Sequence, residues 1–175
     1  MSNSSAAPTA SPGFDVTSLD SSGAFVKHAG LILDAINETR VAGHIDLTAA
    51  HHTPWGIVHG GVYTTAVESA ASIGATAAVV DLGQVAVGLT NTTHFLRSLT
   101  DGRVDVNAAA LYQGRTHQLW QVDVTDETGI LVAHGEVRLQ NIAAKSAQEE
   151  VAMPSTEGAE QNGSVEATLP PGLAS

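Results

Sequence analysis

The chain has 175 residues, 43% of them hydrophobic, which is enough for one domain with a real core. Its 7 basic and 18 acidic residues leave a formal charge of -11, and such a field repels nucleic acid and anionic membranes, so neither is an expected partner. There is no cysteine, which excludes disulfides and cysteine-ligated metal sites.

Residues 1–20 and 146–175 are poor in branched apolar side chains and read as disordered tails, leaving 21–145 as the folded domain. The second tail holds Glu149, Glu150, Glu157, Glu160 and Glu166, so the folded part is closer to neutral than the whole chain. No basic segment precedes an apolar run at the start, so no secretory leader is expected. The apolar run over residues 73–80 is far short of the ~20 residues needed to cross a bilayer. A cytoplasmic protein is the expectation.

Within the domain, residues 31–36 and 41–48 alternate well enough for two strands, joined as a hairpin across Asn37, Glu38 and Thr39. A loop over 49–58 follows, with His51, His52, Pro54 and Gly56. From Gly60 to about residue 80 alternation stops and alanine dominates, which predicts a long helix whose small side chains allow close packing on all sides. Four β-rich segments come next, at 84–96, 104–112, 116–125 and 130–140, separated by turn-like Asp101-Gly102, Gln113-Gly114 and Asp126 to Gly129. Two strands, one apolar helix and four strands in meander order define an α+β domain, with an antiparallel sheet curled around the helix. Such a sheet has edge strands to protect, and joining two copies edge to edge is a common remedy, so at least a homodimer is expected.

The predicted helix carries one charged side chain, Glu68, with no Lys or Arg in the same segment to pair with it. A buried carboxylate without a partner is costly, so such a residue is usually paired, neutralised or kept for chemistry. Hydroxyl donors lie at helical spacing from it, Ser72 at i+4 and Thr64 or Thr65 at i−4 and i−3.

The stretch 55–68, WGIVHGGVYTTAVE, places His59, Gly60 and Gly61 six residues before Glu68. It resembles the motif of hot-dog thioesterases, in particular the phenylacetate-pathway and 4-hydroxybenzoyl-CoA thioesterase branch. The likeness extends through 91–97 (NTTHFLR), Gly114-Arg115-Thr116 and the last strand, over roughly residues 25–145. It implies a hot-dog fold and hydrolysis of a small, aromatic acyl-CoA to free acid and coenzyme A. Coenzyme A is then part of the substrate, and no cofactor is needed. The resemblance also implies a homodimer or homotetramer with active sites shared between subunits. It gives Glu68 the role of nucleophile or general base, assisted by the hydroxyl of Ser72. Thr53 stands where the family commonly has Asn or Gln holding the thioester or water, a departure that leaves either the Thr53 hydroxyl or a neighbour such as His52 to substitute. The same likeness places Arg97, Gly114, Arg115 and Thr116 along a coenzyme A channel, with Lys145 as a further cation.

Physical chemistry supports this assignment independently. The first-turn N–H groups of a helix have no intrahelical acceptor, so those near Gly60 and Gly61 are candidates to stabilise the oxyanion of thioester hydrolysis, an effect worth ~3 kcal/mol per donor in other enzymes. His59 either orients this loop or contacts substrate. Gly60 and Glu68 are separated by about 12 Å along one helix, whereas reacting atoms lie ~3–3.5 Å apart, so a composite site using two subunits is expected. Metal catalysis has no support, because no His-x-x-x-His or carboxylate-histidine cluster appears. A serine nucleophile elbow is also missing. The competing function is a non-catalytic acyl-CoA-binding or sensing module that keeps the same pocket.

Overall fold

The computed structural model describes residues 23–144, so both tails and Lys145 lie outside the described residues. A short helix α1 (Ala24–His28) precedes β1 (Ile32–Ile36) and β2 (Arg40–Leu47). Then come α2 (Gly60–Ala77) and four strands, β3 (Gln84–Phe95), β4 (Gly102–Gln113), β5 (His117–Asp126) and β6 (Leu131–Ala143). No helix among the described residues is long and apolar enough to cross a membrane.

The six strands form one antiparallel sheet in the order β1-β2-β4-β5-β6-β3. The expected four-strand meander is therefore corrected: only β4, β5 and β6 follow one another, while β3 lies at the far edge beside β6. Segment 96–101 is a crossing rather than a turn. Leu96 and Arg97 still donate their N–H groups to the Val132 carbonyl, after which the chain traverses the end of the sheet. Leu99 packs against the core, and its carbonyl accepts the Val58 N–H at 2.9 Å. Buried apolar contact and this pairing with the loop before α2 outweigh the local turn signal of Asp101-Gly102. Local composition cannot distinguish the two routes.

Helix α2 lies against the sheet, and Ala66, Val67, Ala70, Ala71 and Ala75 are fully buried. No residue of α2 is fully exposed. Close approach depends on Gly74: a Cβ there would sit 2.5 Å from Cη2 of the fully buried Trp120 and 2.9 Å from Val41. Trp120 is fixed in turn, because its Nε1–H donates to Gln118 Oε1 at 3.0 Å. Gln118 donates to the Ala75 carbonyl at 2.8 Å and to Asn141 Oδ1 at 2.9 Å. A buried amide network thus ties the second half of α2 to β5 and β6, and its partners satisfy one another, as burial requires.

Gly74→Ala tests this seating. Ala favours a helix by up to ~1 kcal/mol over Gly, but overpacking a filled core costs ~1–3 kcal/mol, and Trp120 has no free side to move toward. The variant is expected to melt lower in a thermal circular-dichroism scan, against the direction of helix propensity.

Candidate functional site

The face of α2 turned from the core carries Gly61, Thr64, Thr65, Glu68 and Ser69, and an open cleft of about 960 Å³ runs along it. Phe25, Val26 and Ala29 of the α1 region form one wall, and His51, His52 and His59 stand at the helix entrance. The cleft surface is mostly apolar, and Glu68 is its one carboxylate. That combination of an apolar cleft with few polar groups is the usual form of a small-molecule site.

Glu68 is half-buried and forms no ion pair among the described residues. Neutral donors hold it instead. Asn91 Nδ2 donates to Oε2 at 2.9 Å, and Ser72 Oγ donates to Oε1 at 3.4 Å. Ser72 therefore stands as expected at i+4. Thr64 and Thr65 do not: their hydroxyls donate back to the carbonyls of Gly60 (3.2 Å) and Gly61 (2.8 Å), the common fate of a helical threonine. Asn91, which the sequence reading did not single out as a site residue, takes their place.

A β-bulge brings Asn91 there. Gly88 faces Leu139, and Asn91 faces Val137, two fully buried residues of β6, although 88 and 91 have opposite parity along the strand. The register shift between Gly88 and Thr90 takes up the extra residue, so both positions point toward α2. Gly88 leaves the space in which the carboxylate sits, because a Cβ there would collide with Glu68 Oε1. Its backbone φ lies outside the left-handed region, so clearance is the reason for glycine.

At the helix start His59 is the N-cap, and its Nδ1 accepts the Gly61 N–H at 2.8 Å. Acting as acceptor there places the ring proton on Nε2. Of the two glycine donors anticipated for an oxyanion, that of Gly61 is thus already engaged, and the Gly60 N–H has no acceptor among the described residues. Phe95 lies against Gly60, 2.8 Å from where a Cβ would stand, and also against Tyr63, with ring centroids 6.4 Å apart. Tyr63 belongs to the core. Its hydroxyl has no partner among the described residues, and burial pushes its pKa up to about 12, so it stays protonated.

The remaining expected site residues lie elsewhere. Thr53 is outside the cleft: its Oγ1 accepts the Trp55 N–H at 3.3 Å, within a turn closed by Gly56 N–H to the Thr53 carbonyl. His52 does reach the cleft, with Nε2 bonded to the Thr100 carbonyl at 2.5 Å. Arg97 is paired with Asp126 at 2.9 Å near the N-terminal end of α2. Asp126 is held below the usual carboxylate range by the Thr128 hydroxyl first, then by the Ile130 N–H, with Arg97 a minor contributor. Gly114, Arg115 and Thr116 form the β4–β5 turn, fastened to β6 where Asn141 Nδ2 donates to the carbonyls of Gly114 and Arg115. The Arg115 guanidinium is exposed and has no partner among the described residues. Strand register puts Arg97 and this turn at opposite ends of the sheet, separated by roughly the ~27 Å length of α2. One chain does not bring them together.

An antiparallel sheet wrapped on a long helix, with an acid midway along that helix, defines the hot-dog class. The model of the thioesterase superfamily matches residues 56–133. A 1,4-dihydroxy-2-naphthoyl-CoA hydrolase of Listeria monocytogenes is 32% identical over 99 residues, 57% of this chain and 80% of that protein. A Mycobacterium tuberculosis protein, provisionally named an esterase, is 47% identical over 92 residues, 51% of this chain and 66% of its own length. Its solved structure superposes with a TM-score of 0.67 at 39% identity, covering 69% of this chain and 97% of that one. The chain belongs to the thioesterase superfamily. The expected fold and the reading as a thioester hydrolase agree with these relatives.

Gly88→Ala is expected to displace the carboxylate while leaving the fold intact, since the collision is with the far end of a flexible side chain. A misplacement of about 1 Å can cost on the order of 100-fold in rate. Loss of esterase activity without a shift of the thermal melt is the expected result; full activity would show that the clearance at Gly88 is not needed.

Proposed function

We propose that the chain is an acyl-CoA thioesterase acting on a small, aromatic acyl group, within the branch its motif resembles. Carrying this reading is one observation: Glu68, the only carboxylate of an apolar cleft among the described residues, is held by the neutral donors Asn91 and Ser72 and paired there with no cation. A structural carboxylate gains from an ion pair, whereas one free of it retains a lone pair for chemistry. The acyl group occupies the apolar length of the cleft. Glu68 acts as nucleophile, attacking the carbonyl carbon as the C–S bond breaks and coenzyme A leaves as thiolate, with water then hydrolysing the anhydride. Alternatively it acts as general base, taking a proton from the attacking water. Label in the enzyme carboxylate after a single turnover in H₂¹⁸O identifies the first route, with water attacking the Glu68 carbonyl of the anhydride; the general-base route leaves none there.

The carbonyl oxygen is met by the Gly60 N–H of the partner subunit, since Gly60 and Glu68 of one chain lie about 12 Å apart along α2. Strand β3 supports a dimer: its twelve residues form an edge of the sheet, and Val87, Leu89 and Phe95 are exposed along it. Arg115 is an exposed cation with no ion pair among the described residues and so is available to coenzyme A phosphates, whereas Arg97 would have to leave Asp126.

Thiol release from benzoyl-, hydroxyphenylacetyl-, dihydroxynaphthoyl- and straight-chain CoA esters tests the activity. Glu68→Ala is expected to lose at least ~100-fold in kcat on the preferred ester; equal background rates for both proteins on every ester would put a non-catalytic binding module in front. Sharing of the site is tested by mixing Glu68→Ala chains with Gly60→Pro chains. Proline suits the first helical position but lacks the N–H, and the exposed Phe95 ring must swing aside to admit its side chain. Recovery of activity in refolded mixtures is expected, and absence of recovery would argue for a site within one chain.

A further inference from the structure

The carboxylate of Glu68 ends a side chain with three rotatable bonds, and Ser72 alone, at 3.4 Å, is a weak restraint on it. The stronger bond comes from Asn91, and a terminal amide orients an acid only if it cannot flip. Here the flip is blocked. Thr93 Oγ1 donates to Asn91 Oδ1 at 2.7 Å, while Nδ2 donates to Glu68 Oε2 at 2.9 Å and to the Thr64 carbonyl at 3.4 Å. All three partners fit one assignment of the amide. Reversal would turn the Asn91 oxygen toward a carboxylate and a carbonyl, two acceptors, so these set the sense of the amide and the Thr93 hydroxyl then holds its oxygen.

The backbone supports this arrangement. The bulge between Gly88 and Thr90 turns Asn91 to the helix side, and normal alternation then puts Thr93 on the same face. Opposite Thr93 stands Gly135, where a Cβ would lie 3.2 Å from Thr93 Oγ1 and 2.5 Å from Val67. Bare backbone at 135 thus leaves room for both.

We propose that Thr93 is a positioning residue that acts through Asn91: its hydroxyl fixes the amide, and the amide fixes the Glu68 carboxylate in the geometry used for attack on the thioester. Nothing in the motif around His59 to Glu68 contains this relay, which lies 23 and 25 residues further along the chain. The inference rests on the reading of Glu68 as the reacting group, and it extends the site to the second inward position of β3.

The test is a set of full-length variants assayed on benzoyl-CoA and dihydroxynaphthoyl-CoA, with ¹⁵N spectra of the side-chain amides as a readout that needs no turnover. Thr93→Val is expected to lower kcat about tenfold with KM within about twofold, because orientation rather than binding is lost. Thr93→Ser, which keeps the hydroxyl, is expected to recover most of kcat. Asn91→Ala is expected to lose at least as much as Thr93→Val, and adding Thr93→Val to it is expected to cost nothing more, since the hydroxyl then has no amide to hold. In the spectra, Glu68→Ala and Thr93→Val each shift the same Asn91 amide pair. Independent losses that multiply in the double variant, or wild-type kcat in Thr93→Val, would overturn the relay. Glu68→Ala retaining wild-type turnover, or no turnover of either ester by the wild type, would instead remove the hydrolase reading; the amide spectra would then still decide whether Thr93 orients Asn91, and an Asn91 pair unmoved by both substitutions would overturn that too.

Discussion

The site depends on how closely α2 is seated in the sheet. A helix whose buried face is alanine and glycine lies nearer its sheet than one lined with leucine, and Gly74 against Trp120 and Gly135 against Val67 mark the points of closest approach. At that separation a short side chain of β3 such as Asn91 reaches an acid on the flank of the helix. With larger residues at the contact, Glu68 would have only Ser72 of its own helix for company. The amide network of Gln118, Asn141 and Trp120 secures the same seating from the other end.

In the hydrolysis proposed here, burial and reactivity are reconciled at Glu68 by the kind of donor supplied. A cation would stabilise the carboxylate strongly and make it a poor nucleophile or base. Amide and hydroxyl groups satisfy its lone pairs in part and orient it while leaving it available. The chain is strongly acidic overall, and among the described residues three of its cations are engaged or placed elsewhere: Arg97 against Asp126, Arg103 between Asp34 and Asp105, and Arg115 in an outer turn.

Most of the architecture was legible from local pattern. Each expected strand and the helix appear with ends displaced by no more than about three residues, as when 60–80 became Gly60–Ala77 and 130–140 became Leu131–Ala143. The acid, its i+4 hydroxyl and the glycine pair were equally visible, because the chemistry of each is carried by residue type and helical spacing. What escaped was non-local. The position of β3 beside β6 is decided by Leu99 and Val58, residues far apart in sequence. The role of Asn91 depends on a bulge two residues earlier, and an alternation rule that ignores it assigns Gly88 and Asn91 to opposite faces. Thr64 and Thr65 were misread because helical spacing tells which groups are near one another, not which acceptor each hydroxyl prefers.

The bulge at residue 89 also separates two halves of β3 that answer to different demands. Residues after it include Asn91, which holds Glu68, while those before it, Gln84 to Gly88, remain matched to the end of β6 near Ala143. Deleting residue 89 would make the strand regular and leave Gly88 opposite Leu139 and Asn91 opposite Val137, so both would still face the acid.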